Sequence, residues 1–293
     1  MRIGYLAAYS EAEVEFARAA GFGSLELLVG PGAPLDPTTA TDSSIQQARE
    51  ALAEADIEVS ALGWYPNMLE PEQSRRAEQS AFFRRLFELA EQLGVQTLCT
   101  FAGRVPDLDI PENIPHFIDV WAPLAKEAED RGLRIGFENC PMFHTFPFRG
   151  INLAYTPRAW DLMFEAVPSP VLGLEYDPSH LIALEIDYLW ALREYGSKVF
   201  HVHAKDAERL MHNVRKYGHF EPGGVRDRVP GMGASDWGAI ISTLHEVGYT
   251  GNLDIEGRHD PIYHAARENE GLVIALRHLS QFIANDYIKP EAK

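Results

Sequence analysis

Cysteine is scarce: Cys99 and Cys140 are the only two in 293 residues, and their spacing builds neither a disulfide framework nor a thiolate metal site. Basic charge is also short. Against 43 Asp and Glu stand 26 Lys and Arg, a formal net charge of −17. Such a chain repels nucleic-acid phosphates and carries no basic footprint, so no nucleic-acid partner is expected. No apolar run is long enough to span a bilayer, and no membrane partner is expected. Met1 runs directly into a strand-like MRIGYLA without a basic start or a cleavage site, so the expected location is cytoplasmic. No GxGxxG or GxxxxGKS follows any strand, which argues against an open-sheet nucleotide-binding fold. A glycine-rich phosphate cradle is missing as well, so a phosphorylated substrate is not assumed.

Hydrophobic residues, 46% of the chain, are patterned. A short apolar strand, a polar loop and an amphipathic helix recur about eight times. The strands are expected at Ile3–Leu6, Ser24–Val29, Glu58–Trp64, Thr97–Phe101, Arg134–Asn139, Val171–Asp177, Lys198–Lys205 and Asn252–Gly257. Between them, sets such as Ile45, Ala48, Leu52 and Ala55 fall at helical spacing. Thr156-Pro157 reads as a helix start, as does Ser235 or Asp236, and Gly21, Gly94, Gly132 and Gly248 follow helix ends. Strict alternation implies parallel strands with right-handed crossovers, and eight units favour closure. The expected fold is α/β, a single (β/α)₈ TIM barrel over residues 1–293. Three long segments, Gly30–Thr41, Pro141–Tyr155 and Asp206–Ala234, read as irregular loops on the catalytic face. The last could close over the mouth or serve as a docking surface.

Four consecutive strands toward the C-terminus end in polar residues: IGFEN, LEYDPSH, HVHAKD and LDIEG. With Ile135 and Phe137 facing the helices, Glu138 faces inward. The same alternation turns Glu175 and Asp177, His201, His203 and Lys205, and Asp254 and Glu256 inward. Carboxylates and imidazoles gathered this closely need a cation or a hydrogen-bond network to offset desolvation and repulsion. A divalent ion held by Glu138, Asp177, His203 and Glu256 meets that need. Any one of them alone reads better as a carboxylate capping the next helix. Three carboxylates and one imidazole suit Mn²⁺ first, with Mg²⁺, Co²⁺ or Zn²⁺ as alternatives. Arg134, Glu175, His201 and Asp254 read as a deeper layer, with Arg134 expected to pair with Glu175.

The motifs FEN, YDPSH, HVHAKD and DIEGRHDP, with RVPGMGASDW before the last barrel helix, resemble the sugar phosphate isomerase/epimerase family, the xylose-isomerase-like barrels. The likeness follows strand order along essentially the whole chain. It implies the same four metal ligands, a substrate-contacting His180, and Glu26 lining the pocket after the second strand. Ketose epimerases, sugar isomerases, inosose dehydratase-like lyases and metal-dependent apurinic endonucleases share this family. The endonuclease branch fits poorly, because it uses more histidines and a DNA-facing basic surface. A non-catalytic sugar-binding barrel is disfavoured, because none of the four ligands is eroded.

The expected activity is a metal-dependent isomerase or epimerase acting on a ketose or related polyol through an enediolate, with Glu138, Glu256 and His180 as catalytic groups. The alternative is a lyase or dehydratase acting on a keto-sugar, inosose or keto-glycoside. Substrate contacts are expected from Glu26, Trp64, Lys205, Arg228 and Arg258, with Tyr65 as a second stacking ring and His144 and Arg149 in a lid. Lys205 could instead pair with Asp206 or Glu175. A homo-oligomer is expected, with a partner subunit as a further possibility.

Overall fold

The computed structural model describes residues 1–142, 149–218 and 223–284. In chain order the elements are β1 Ile3–Ala8, α1 Glu11–Ala20, β2 Ser24–Leu28, α2 Asp42–Glu54, β3 Glu58–Gly63, α3 Gln73–Leu93, β4 Thr97–Thr100, α4 Ile110–Arg131, β5 Arg134–Glu138 and α5 Pro157–Ala166. They continue as β6 Leu172–Tyr176, α6 Pro178–Ala183, α7 Tyr188–Tyr195, β7 Val199–Ala204, β8 Asp206–Arg209, α8 Met211–Tyr217, β9 Val225–Arg228, α9 Trp237–Glu246, β10 Leu253–Ile255 and α10 Glu268–Leu279. Eight parallel strands close a barrel in the order β1-β10-β7-β6-β5-β4-β3-β2. This is the (β/α)₈ TIM barrel that strand–helix alternation predicts, with strand bounds within a residue or two of expectation. Among the described residues no helix is long and apolar enough to cross a membrane.

Local chemistry starts the helices. Thr41 and Ser44 form a capping box at α2, Thr156 caps α5 ahead of Pro157, and Asp236 accepts from the Ala239 amide at α9. The helices bury large rings against the outside of the sheet. Trp121 stacks edge-on to Phe83 and Phe137, and its indole N–H donates to the Ala102 carbonyl.

One expectation is overturned. Asp206–Ala234 is not a structureless loop: β8 and β9 pair antiparallel, Asp206 opposite Arg228 and Arg209 opposite Val225, with α8 between them. Asp206 anchors this unit. Its buried carboxylate accepts from the amides of Ala207, Gly231, Gly233 and Ser235, gathering the RVPGMGAS segment beneath the hairpin. Sequence pattern missed this unit because each strand spans only four residues, too short for a period to register.

Candidate metal centre

Register brings the polar strand ends to one level. Glu138 lies beside Glu175 across β5 and β6, and His203 beside Asp254 across β7 and β10. Asp177, Lys205 and Glu256 each follow directly on the last residue of their strand, at the C-terminal mouth. Ligand atoms of Glu138, Asp177, His203 and Glu256 lie within 4.8 Å of one another, and all four residues are buried. His203 Nδ1 is 3.4 Å from Glu138 Oε1 and 3.8 Å from Glu256 Oε2.

Asp177 does two jobs. Its Oδ1 accepts from the Ser179 amide and caps α6, while its Oδ2 is buried and ion-paired with Lys205. Lys205 Nζ lies 2.9 Å and His180 Nε2 3.3 Å from Oδ2. Asn139 grips the same residue through its backbone, donating to the Asp177 carbonyl and accepting from its amide. An Asp177 oxygen held by side chains alone, beside two further carboxylates and an imidazole nitrogen, is a donor set that fits a divalent cation.

Lys205 sits inside the cluster, pairing with Glu256 and Asp177 and lying 3.0 Å from His180 Nε2. Neither Asp206 nor Glu175 is its partner. Burial alone would lower the Lys205 pKa, but Asp177 and Glu256 outweigh it and hold the ammonium charged. Burial would likewise raise Glu256, yet Lys205 and His259 keep it well below the ordinary carboxylate range. His180 lies 3.4 Å from Glu138 Oε1.

Beneath this level lies a second layer. Glu26 is within β2, not after it, and is fully buried under the four ligands rather than lining the pocket. Its Oε2 is 2.7 Å from His203 Nε2 and 3.1 Å from His201 Nε2, and its Oε1 accepts from the Tyr65 hydroxyl. Burial opposes its charge, but His203 and His201 hold it ionised. Tyr65 Oη also lies 3.0 Å from Glu175 Oε2. One hydroxyl carries one proton, so with Tyr65 donating to Glu26 the second contact needs a proton from Glu175. Burial and the neighbouring Glu26 push Glu175 up to about 7, in keeping with that arrangement. Arg134 takes no part. It is exposed at the opposite end of β5, bonded to Thr97 Oγ1 and stacked over Phe200, so the expected Arg134–Glu175 pair does not form.

Above the cluster opens a cavity of about 500 Å³, walled by Tyr65, Phe101, Met142, Ala183 and Val225 and rimmed by Arg258 and His259. Trp64 is not on this wall: it packs against Phe82 and Phe83 of α3. Arg228 is nearly buried and committed to Asp260 and Glu208. Arg149 pairs with Asp107 on the surface, and His144 and His219 lie outside the described residues.

Three residues escaped the sequence reading. Cys140 lies with Glu138 and His180 within 4.8 Å, His259 Nε2 is 3.1 Å from Glu256 Oε1, and Asp260 ties down Arg228. The run GRHDP directly after Glu256 was the available signal for the last two.

The family model for the xylose isomerase-like TIM barrel matches residues 14–282. The chain belongs to the xylose isomerase-like TIM barrel family. An inosose dehydratase of Bacillus licheniformis is 26% identical over 214 residues, 71% of this chain and 70% of that one. Among solved structures of the same barrel type, the IOLI protein crystallised with a binding zinc atom superimposes with a TM-score of 0.74 at 19% identity, covering 97% of this chain and 100% of that one. A D-psicose 3-epimerase from Clostridium cellulolyticum H10, crystallised with D-tagatose, gives 0.72 at 18% identity, with 96% and 98% covered. At these identities the likeness to the two structures is one of fold.

Proposed function

We propose that this xylose isomerase-like barrel is a divalent-metal-dependent enzyme that isomerises or epimerises a ketose or related polyol through an enediolate. The observation that carries the reading is the convergence of Glu138, Asp177, His203 and Glu256, whose ligand atoms lie within 4.8 Å of one another next to the cavity that Glu138, His203 and Glu256 line. These four residues would hold the ion. Their oxygen-rich chemistry favours Mn²⁺, with Mg²⁺ and Co²⁺ as alternatives, and the zinc in the related barrel keeps Zn²⁺ in the set. The ion, when bound, supplies Lewis-acid polarisation of a carbonyl, which acidifies the adjoining C–H.

The chain's own groups do the rest. Glu138 comes from β5 and Glu256 from the end of β10, on either side of the β6 and β7 residues. Two carboxylates so placed reach a sugar carbon from opposite faces: one takes the proton and the other returns it. His203 and His180 hold Glu138 below the ordinary range against its burial, so both carboxylates begin as bases. Lys205 and His180 offer hydrogen bonds to substrate oxygens, and Arg258 stands at the rim for a more distant substituent.

A specific observation favours a second reading, dehydration. The Lys205 ammonium beside the His180 ring, 3.0 Å away, can deliver a proton to a leaving hydroxyl once the C–H is broken. The dehydratase named among the relatives supports this alternative. Incubation with ketoses and inososes in D₂O, with and without chelator, separates the two. Deuterium entering a retained sugar supports epimerisation or isomerisation, and loss of water supports dehydration. Metal-loaded protein that exchanges no C–H on any of these substrates would overturn both.

A further inference from the structure

We propose that Glu26 is a positioning residue for the metal-binding imidazole: it holds Nε2 of His203 and thereby presents Nδ1 to the ion, with Tyr65 fixing Glu26 from the cavity side. This rests on the metal-site reading above. An imidazole has two nitrogens, and the one that donates its hydrogen leaves the other as the lone-pair donor. His203 Nε2 faces Glu26 Oε2 at 2.7 Å and Glu175 Oε1 at 3.0 Å, whereas Nδ1 faces Glu138 and Glu256, two members of the ligand set. The two sides of the ring are therefore assigned by their surroundings.

Glu26 is itself held by two further groups. Tyr65 Oη donates to Oε1, His201 reaches Oε2, and His201 in turn lies 3.2 Å from Asp254. Asp254 accepts from the hydroxyls of Ser24 and Ser60, which closes the chain of contacts at the bottom of the barrel. Gly63 makes room for it, since a Cβ there would lie 2.3 Å from Glu26 Oε1. The same neighbourhood, Glu26, Cys99, Glu175 and His201, brings ligand atoms within 4.8 Å of one another, but it does not call for a second ion. The oxygens of Glu26 and Glu175 and Nε2 of His201 are already hydrogen-bonded or ion-paired, and burial drives the Cys99 thiol up, away from the thiolate a metal needs. The cluster serves His203.

The test is a Co²⁺ titration followed by visible absorption, with Zn²⁺ competition, on wild type, Glu26→Gln and Tyr65→Phe, each checked for folding by circular dichroism. Wild type is expected to bind about one equivalent per chain. Glu26→Gln should lose roughly 10- to 100-fold in affinity, the usual effect of removing such a partner, and Tyr65→Phe less. ¹⁵N spectra of the Zn²⁺-loaded protein should show Nδ1 bound and the His203 hydrogen on Nε2 in wild type, and loss of that single arrangement in Glu26→Gln. A folded Glu26→Gln with wild-type affinity and an unchanged tautomer overturns the inference. If that variant does not fold, unchanged affinity in Tyr65→Phe overturns it. Wild type that binds no Co²⁺ overturns the metal-site reading instead.

Discussion

Asp260 joins the β8–β9 hairpin to the loop that carries Glu256, Arg258 and His259, and its replacement by Asn gives a measurable prediction. The carboxylate is 1% exposed. Its Oδ2 accepts from Arg228 Nε and the Val229 amide, both at 2.9 Å. Its Oδ1 accepts from the amides of Ile262 at 2.7 Å and Tyr263 at 2.9 Å. Asparagine has one carbonyl oxygen, so it can serve one pair while its NH₂ faces the other two donors. Two charge-assisted bonds are lost, at roughly 1.5–3 kcal/mol each. Arg228, 7% exposed, is left with Glu208 as its remaining carboxylate. Breaking a buried pair from one side costs about 3–5 kcal/mol, a large share of the ~5–15 kcal/mol that holds a typical domain folded. The assay is urea unfolding across pH. Although burial favours the neutral form, the backbone donors and Arg228 hold Asp260 below its ordinary 3.8. Its contribution is complete above the unfolded pKa and lost as pH falls through the folded one, so the gap between wild type and variant should narrow below about pH 4. An unchanged midpoint at pH 7, or a gap that widens on acidification, would refute the reasoning.

Glu256→Gln should cut turnover by at least about 10²-fold while leaving the circular dichroism spectrum intact, because in the proposed mechanism Glu256 both transfers a proton and holds the ion. Normal turnover in that variant would remove Glu256 from the mechanism. Trp64→Leu should cost about 2 kcal/mol in thermal or urea unfolding, from lost packing on Phe82 and Phe83, and leave KM unchanged. A raised KM at native stability would return Trp64 to the substrate. Gly63→Ala should weaken metal binding in a Co²⁺ titration and cost about 1–3 kcal/mol, since its Cβ would press on Glu26 Oε1 and come within 2.9 Å of the Tyr65 ring. Full affinity in that variant would mean that Glu26 has room to move.

The barrel and the inward-facing strand ends were legible in the chain because both follow from local rules. Strand–helix alternation sets parallel connectivity, and a period of two decides that Glu138, Asp177, His203 and Glu256 share a face with Glu175, His201 and Asp254. Partners within the barrel were not legible. Arg134 and Glu175 share a face but not a level: the register sets Glu138 beside Glu175, and Arg134 is exposed four residues back at the entry of β5. Arg228 looked available for an anion because Asp260, 32 residues away, cannot be paired with it by any period.

The sequence by itself determined the fold class, the four candidate ligands and the end of the barrel at which they gather. Tertiary structure decided how deep each side chain sits and what faces it. Closure and stagger place Glu26 against His203 although 177 residues separate them, turn Lys205 into the ligand cluster, and take Trp64 and Arg228 into packing and ion pairs. Alternation along a strand is enforced by covalent geometry within a few residues. Contacts across a barrel depend on how eight strands close together, and no short window of sequence contains that information.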